Sequence, residues 1–159
     1  MEQKEIFVKM ALVAWNMQIS RTTKFFDSLS DEELLNQVAP GRNRIIYLLG
    51  HLVAVNDNII ALFGIGKRSY AHLDEAYITN PDSAMPDSPD PSVLRNYWKI
   101  SNEELTAYFN QMSADEWFSK HTAMTDEDFV KEPTRNKLSV LLNRTSHVAY
   151  HLGQLVLAK

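Results

Sequence analysis

A chain of 159 residues that is 45% hydrophobic is long enough to form one domain, residues 1–159, with its own core. Its net charge of −4, with Lys and Arg scattered among acidic residues, argues against nucleic acid as a partner, because a phosphate backbone calls for clustered cations. The absence of cysteine excludes disulfides, thiolate metal sites and a cysteine nucleophile.

The start, Met1-Glu2-Gln3-Lys4-Glu5, is charged and lacks the apolar segment of a signal peptide. The apolar runs further on are broken by polar residues short of a membrane span. A cytoplasmic domain with no membrane partner is therefore expected.

Four long helices are predicted from hydrophobic periodicity. In the first, from about Glu2 to Ser28, Ile6, Met10, Val13 and Met17 recur at helical spacing. Ser30-Asp31-Glu32-Glu33 then reads as a capping box that opens a short helix or turn. The second long helix, from about Arg42 to Phe63, carries the stripe Ile45, Leu48, Leu52, Val55, Ile59 and Leu62, with Gly64 and Gly66 as its stop. From Ala76 to Pro91 the chain holds four of its six prolines, so this stretch is expected to be a long crossover loop between helices two and three.

The third long helix opens at Asp90-Pro91 with a cap and a first-turn proline, and its stripe is Leu94, Tyr97, Leu105, Tyr108 and Met112. A second capping box, Ser113-Ala114-Asp115-Glu116, follows it, and Thr125-Asp126-Glu127-Asp128 reads as a helix start or a solvated loop. The fourth long helix runs from about Asn136 to the C-terminus on Leu141, Val148, Leu152 and Leu155. No β-alternation is evident, so the expected fold is all-α, an up-down four-helix bundle with a long crossover. A short internal echo, Arg42–Leu49 against Arg135–Leu142, suggests two equivalent helix pairs.

The chemistry concentrates in histidine. His147 and His151 lie four apart in Ser146-His147-Val148-Ala149-Tyr150-His151-Leu152-Gly153-Gln154, so on a helix both imidazoles project from one face. His51, in Gly50-His51-Leu52, has a similar apolar setting on the second helix. Taken alone, each could be a core histidine satisfied by a hydrogen bond. Three imidazoles at the margins of two apolar faces would each need a partner, and one shared cation serves all three.

Other centres fail on spacing. No Glu stands three residues before any histidine, as a di-iron bundle requires, and position 148 is valine where a zincin needs glutamate. No Gly-x-Ser-x-Gly elbow is present. His72 and His121 sit in polar contexts and read as surface groups, and Trp15, Trp98 and Trp117 read as packing. Arg144 and Gln154 are either groups that orient the histidines or meet an anionic substrate, or ordinary surface residues.

The Gly50-His51-Leu52 and His147-x-x-x-His151-Leu152-Gly153-Gln154 pattern resembles the DinB/YfiT-like superfamily, metal-binding four-helix bundles that include DinB-like proteins and thiol-dependent S-transferases. The likeness covers essentially the whole chain. It implies a divalent metal, zinc or nickel, on His51, His147 and His151, with solvent completing the sphere, and a homodimer. In the S-transferase branch a low-molecular-weight thiol replaces that solvent and attacks an electrophilic small molecule. Two functions stay open at this point: a metal-dependent transferase or hydrolase of small molecules, and a non-catalytic, stress-associated metal-binding module.

Overall fold

Fifteen of the nineteen residues from Ile45 to Phe63 are buried, which makes this helix (α3) the central element of the fold. A helix that is apolar all round has to be enclosed. Here α4 (Pro91–Gln111) and α7 (Lys137–Leu155) pack along it, as do the crossover turns at 71–79, and α1 (Gln3–Asp27) completes the bundle against α7. Short helices α2 (Asp31–Leu34), α5 (Ala114–Trp117) and α6 (Asp126–Lys131) fill the connections. The computed structural model describes residues 2–84 and 90–158, and the part of the crossover from 85 to 89 lies outside them. Among the described residues no strand forms, so the all-α bundle stands as predicted.

Local chemistry sets the helix ends. Gly64 adopts φ 67°, ψ 29° and closes α3, the left-handed conformation that glycine takes without a Cβ penalty. The Ser30 and Ser113 hydroxyls accept from the backbone N–H groups of Glu33 and Glu116, as the two capping boxes require, and Thr125 caps α6 in the same way. Each short capped helix α2 and α5 leads into an isolated antiparallel bridge, Gln37 with Arg44 and Lys120 with Asn136. Arg44 and Asn136 are the N-cap residues of α3 and α7, so the internal echo has a structural counterpart.

The long connection does more than cross over. Glu75–Thr79 winds into a π turn that buries Tyr77, and Asp82–Ala84 into a 3-10 turn that buries Asp82. Asp82 accepts from the Arg44 backbone N–H at 2.7 Å and from its guanidinium, which ties the segment to the start of α3. Phe63 and Phe109, at the C-terminal ends of α3 and α4, pack with ring centroids 6.0 Å apart, so these two helices run the same way. Trp15 against Phe109, and Phe26 against Trp98, place α1 antiparallel to α4. The order of directions is therefore up, down, down, up, which departs from a strict up-down alternation because the long crossover returns the chain before α4 begins.

Two expectations are corrected. The Ile6, Met10, Val13 and Met17 repeat does mark a helix, but it faces outward, with Met10 63% and Val13 61% exposed. The core face of α1 is instead Val8, Ala11, Trp15, Thr22 and Phe26, where bulky rings meet α4. Second, α3 is long and apolar enough to cross a membrane by composition, with a mean hydropathy of 1.7, because its only charged residue is Asp57. Yet 78% of that window is buried inside the fold. Asp57 itself is fully buried and receives hydrogen bonds from Arg68 at 2.9 Å and from the backbone N–H groups of Ser69 and Tyr70.

Candidate metal centre

His51, in the second turn of α3, meets His147 and His151, one turn apart near the end of α7. The Nε2 atoms of His51 and His147 are 3.2 Å apart, those of His147 and His151 3.1 Å. One ligand nitrogen from each ring lies within 4.8 Å of the other two. Residues from distant parts of the chain thus converge on one point, each half-buried, with Leu48, Leu52 and Val148 buried beside them.

The outward nitrogens are held. His51 Nδ1 donates to the Tyr77 carbonyl at 2.7 Å, and His151 Nδ1 donates to Gln154 Oε1 at 2.8 Å. These bonds assign the Nδ1–H tautomer to both rings and leave both Nε2 lone pairs facing inward. Tyr47 stacks on His51 with planes 10° apart, and Tyr150 meets His151 edge-on at 5.2 Å. Gln154, in turn, donates to the Tyr150 hydroxyl at 3.3 Å.

Burial keeps these rings neutral. It lowers the pKa of His51 and His151 against the opposing pull of their hydrogen bonds to Tyr77 and Gln154. It lowers His147 to about 4, helped by His151, His51 and Arg144. A neutral imidazole is the form that ligates a metal.

The lone-pair count tests whether the residues fit an ion. A neutral His147 can donate from Nε2 to only one of the two inward lone pairs, and its Nδ1 is buried without a partner. A divalent cation accepts all three lone pairs together, so the donor set and its tautomers fit one.

Beside the centre, Val38, Gly41, Arg42, Asn43, Tyr150 and Gln154 line a cavity of about 500 Å³. The part played by Tyr77 was not foreseeable from its side chain, since the group that counts is its backbone carbonyl. The one local signal is Gly50: a Cβ there would stand 2.3 Å from the Tyr77 ring. His72 is exposed, as expected. His121 is not a plain surface group, because its Nδ1 is buried without a partner. Arg144 shares the histidine face of α7 but makes no hydrogen bond to either imidazole.

The model of the DinB superfamily matches residues 14–155 of this chain. No curated protein matches it.

Proposed function

Since the chain belongs to the DinB superfamily, we propose that it is a metal-dependent enzyme of the thiol S-transferase or small-molecule hydrolase type. His51, His147 and His151 hold one divalent ion, zinc or nickel. The observation that carries this reading is the set of inward Nε2 lone pairs, fixed by the Tyr77 carbonyl and by Gln154. Three nitrogen donors without thiolate suit these borderline ions better than calcium or magnesium. When bound, such an ion supplies Lewis acidity and lowers the pKa of a coordinated thiol or water.

The protein's own groups do the rest. The Nδ1–H bonds orient the rings and raise their basicity as ligands. Tyr47 stacks on one face of His51, and the cavity edged by Leu48, Tyr150 and Gln154 lies next to the histidines. A purely structural zinc site would be closed by a fourth protein ligand, whereas the cluster consists of three imidazoles with a cavity next to it.

Elemental analysis of the wild type and of a His147→Ala/His151→Ala variant tests the reading. About one ion per chain is expected in the first and none in the second, with helicity kept in both. Full occupancy in the variant contradicts the ligand set. Metal-dependent consumption of a small thiol with an activated alkyl halide supports transfer. No turnover with either zinc or nickel, over several thiols and ester substrates, leaves the non-catalytic module.

The same proposal includes a cytoplasmic homodimer. Its support is the outward α1 stripe, which continues into a groove of about 480 Å³ lined by Phe7, Met10, Ala14, Phe118 and Leu142. Contiguous apolar surface of this kind marks an association site. The proposed occupant is a second copy, since an apolar stripe along a helix can meet its own counterpart across a two-fold axis.

A further inference from the structure

Further along α3 and α7 from the histidines lies a second cluster that the metal centre does not use. His51 faces His147, while Leu62, three turns along α3, shares a cavity of about 380 Å³ with His121, Arg135, Ser139, Asn143 and Arg144. Two arginines and a histidine line it, and no carboxylate does. Arg135 and Arg144 form no ion pair among the described residues; Arg21 and Arg42 also form none, but only Arg135 and Arg144 share one cavity. In a chain with four more acidic than basic residues this leaves two guanidinium groups together without counter-charge.

The unmet hydrogen-bonding capacity points the same way. Arg144 Nε and His121 Nδ1 are both buried without a partner. A buried donor left unmade is costly, and a buried guanidinium more so, unless a ligand completes it. The Asn143 amide adds a free donor at the rim, and burial together with Arg135 holds His121 in its neutral form. The fork of a guanidinium suits the paired oxygens of a carboxylate or phosphate.

We propose that the His121–Arg135–Arg144 cavity is an oxyanion site that takes the carboxylate or phosphate group of a small molecule. Arg144 lies one turn before His147 on the same face of α7, and Ser139 lies more than two turns before it. A ligand anchored here would have to extend roughly 10 Å along α7 to bring its other end to the imidazoles. Only this last statement rests on the proposed function; oxyanion binding itself requires no metal.

The test titrates chelator-treated protein with inorganic phosphate and, separately, with acetate, following amide resonances at low ionic strength. Saturable shifts confined to residues 119–122, 135 and 139–144 are expected with at least one anion, and the stronger of the two identifies the preferred head group. Arg135→Gln and Arg144→Gln should each weaken binding about tenfold, the worth of one charge-assisted contact. Arg135 is exposed, so its replacement leaves the fold intact and keeps the test valid should Arg144→Gln unfold. Arg21→Gln, remote on α1, should change nothing. Absence of saturation with both anions, shifts located elsewhere, or equal weakening by Arg21→Gln overturns the site. Because the protein is metal-free, these outcomes are independent of whether the histidines hold an ion.

Discussion

His51 and Tyr77, 26 residues apart, are joined by a 2.7 Å hydrogen bond from the imidazole to the backbone carbonyl. That carbonyl is in place because the Tyr77 ring packs directly on Gly50, where a Cβ would clash with it. The Tyr47 hydroxyl fixes the same segment by donating to the Asn80 carbonyl at 2.7 Å. Gly50→Ala should therefore displace the turn that orients His51. An interior helical alanine gains about 1 kcal/mol over glycine, but overpacking a core costs about 1–3 kcal/mol. A net loss of about 1–2 kcal/mol in urea unfolding is expected, with metal affinity reduced about tenfold or more. Tyr77→Leu in the same chain should recover the stability but not the affinity fully. An alanine variant with unchanged affinity would show that the carbonyl contact is dispensable.

Gln154 gives the matching case on α7. Its Oε1 receives the His151 Nδ1–H, so Gln154→Leu removes that acceptor. Loss of such a partner lowers metal affinity about 10- to 100-fold. Gln154→Glu keeps the acceptor and adds charge, so it should bind metal as tightly as the wild type or tighter. Competition with a chromophoric chelator measures both. Equal affinities in all three proteins would remove Gln154 from the site.

The periodic segments made the long helices legible, because burying one face imposes a 3.6-residue repeat. The repeat did not say which apolar face is buried. On α1 the outward stripe Ile6, Met10, Val13 and Met17 is more regular than the inward set, which includes Thr22 and the small Ala11. The histidine trio was legible because ligand chemistry restricts residue type and the helix restricts spacing. The Tyr77 carbonyl was hidden, since any residue supplies one, and so was Asp82, whose partner Arg44 lies 38 residues away in the sequence. His121 was misjudged from its polar neighbours in sequence, whereas its environment is set by α3 and α7.

Acid should act on the metal-free protein through the same imidazoles. His147 titrates at about 4 in the fold against the usual 6.5, with burial the main cause, and burial lowers His51 and His151 too. Between those two values the unfolded chain binds protons that the folded chain refuses, so stability falls as pH drops through the window. Above about 6.5 the penalty is absent, and below about 4 it is complete. The thermal midpoint of metal-free protein should be lower at pH 5 than at pH 7.5, and His147→Gln should flatten that difference. Metal-loaded protein should lose its ion over the same descent, because protons compete for the ligand nitrogens. A variant as acid-sensitive as the wild type would shift the cause from His147 to other groups, His51 and His151 first among them.

Asp82 sets the stability of the crossover. Burial alone would raise its carboxyl, but hydrogen bonds from the Arg44 guanidinium and backbone outweigh that and hold it below the usual carboxylate range. Its contribution is thus present above about pH 4 and lost as pH falls through the lowered value. Asp82→Asn keeps the shape but removes the negative charge that faces the Arg44 guanidinium. A loss of about 1–3 kcal/mol at pH 7, shrinking toward pH 3, is expected in urea unfolding. A pH-independent loss would mean that shape, not charge, makes the contact.

The outward face of α1 predicts assembly. Met10 and Val13 are 63% and 61% exposed, so replacing both with glutamate removes almost no core packing and should leave the monomer fold stable. In an isologous interface each substitution appears twice, facing its own copy, and like charges repel across a desolvated contact. Light scattering coupled to gel filtration should give a dimer mass for the wild type and a monomer mass for Met10→Glu/Val13→Glu at the same micromolar concentration. Metal content should be unchanged, since all three histidines belong to one chain and stand on α3 and α7. A wild-type monomer, or a variant that still dimerises, would assign the stripe to another partner or the contact to another face.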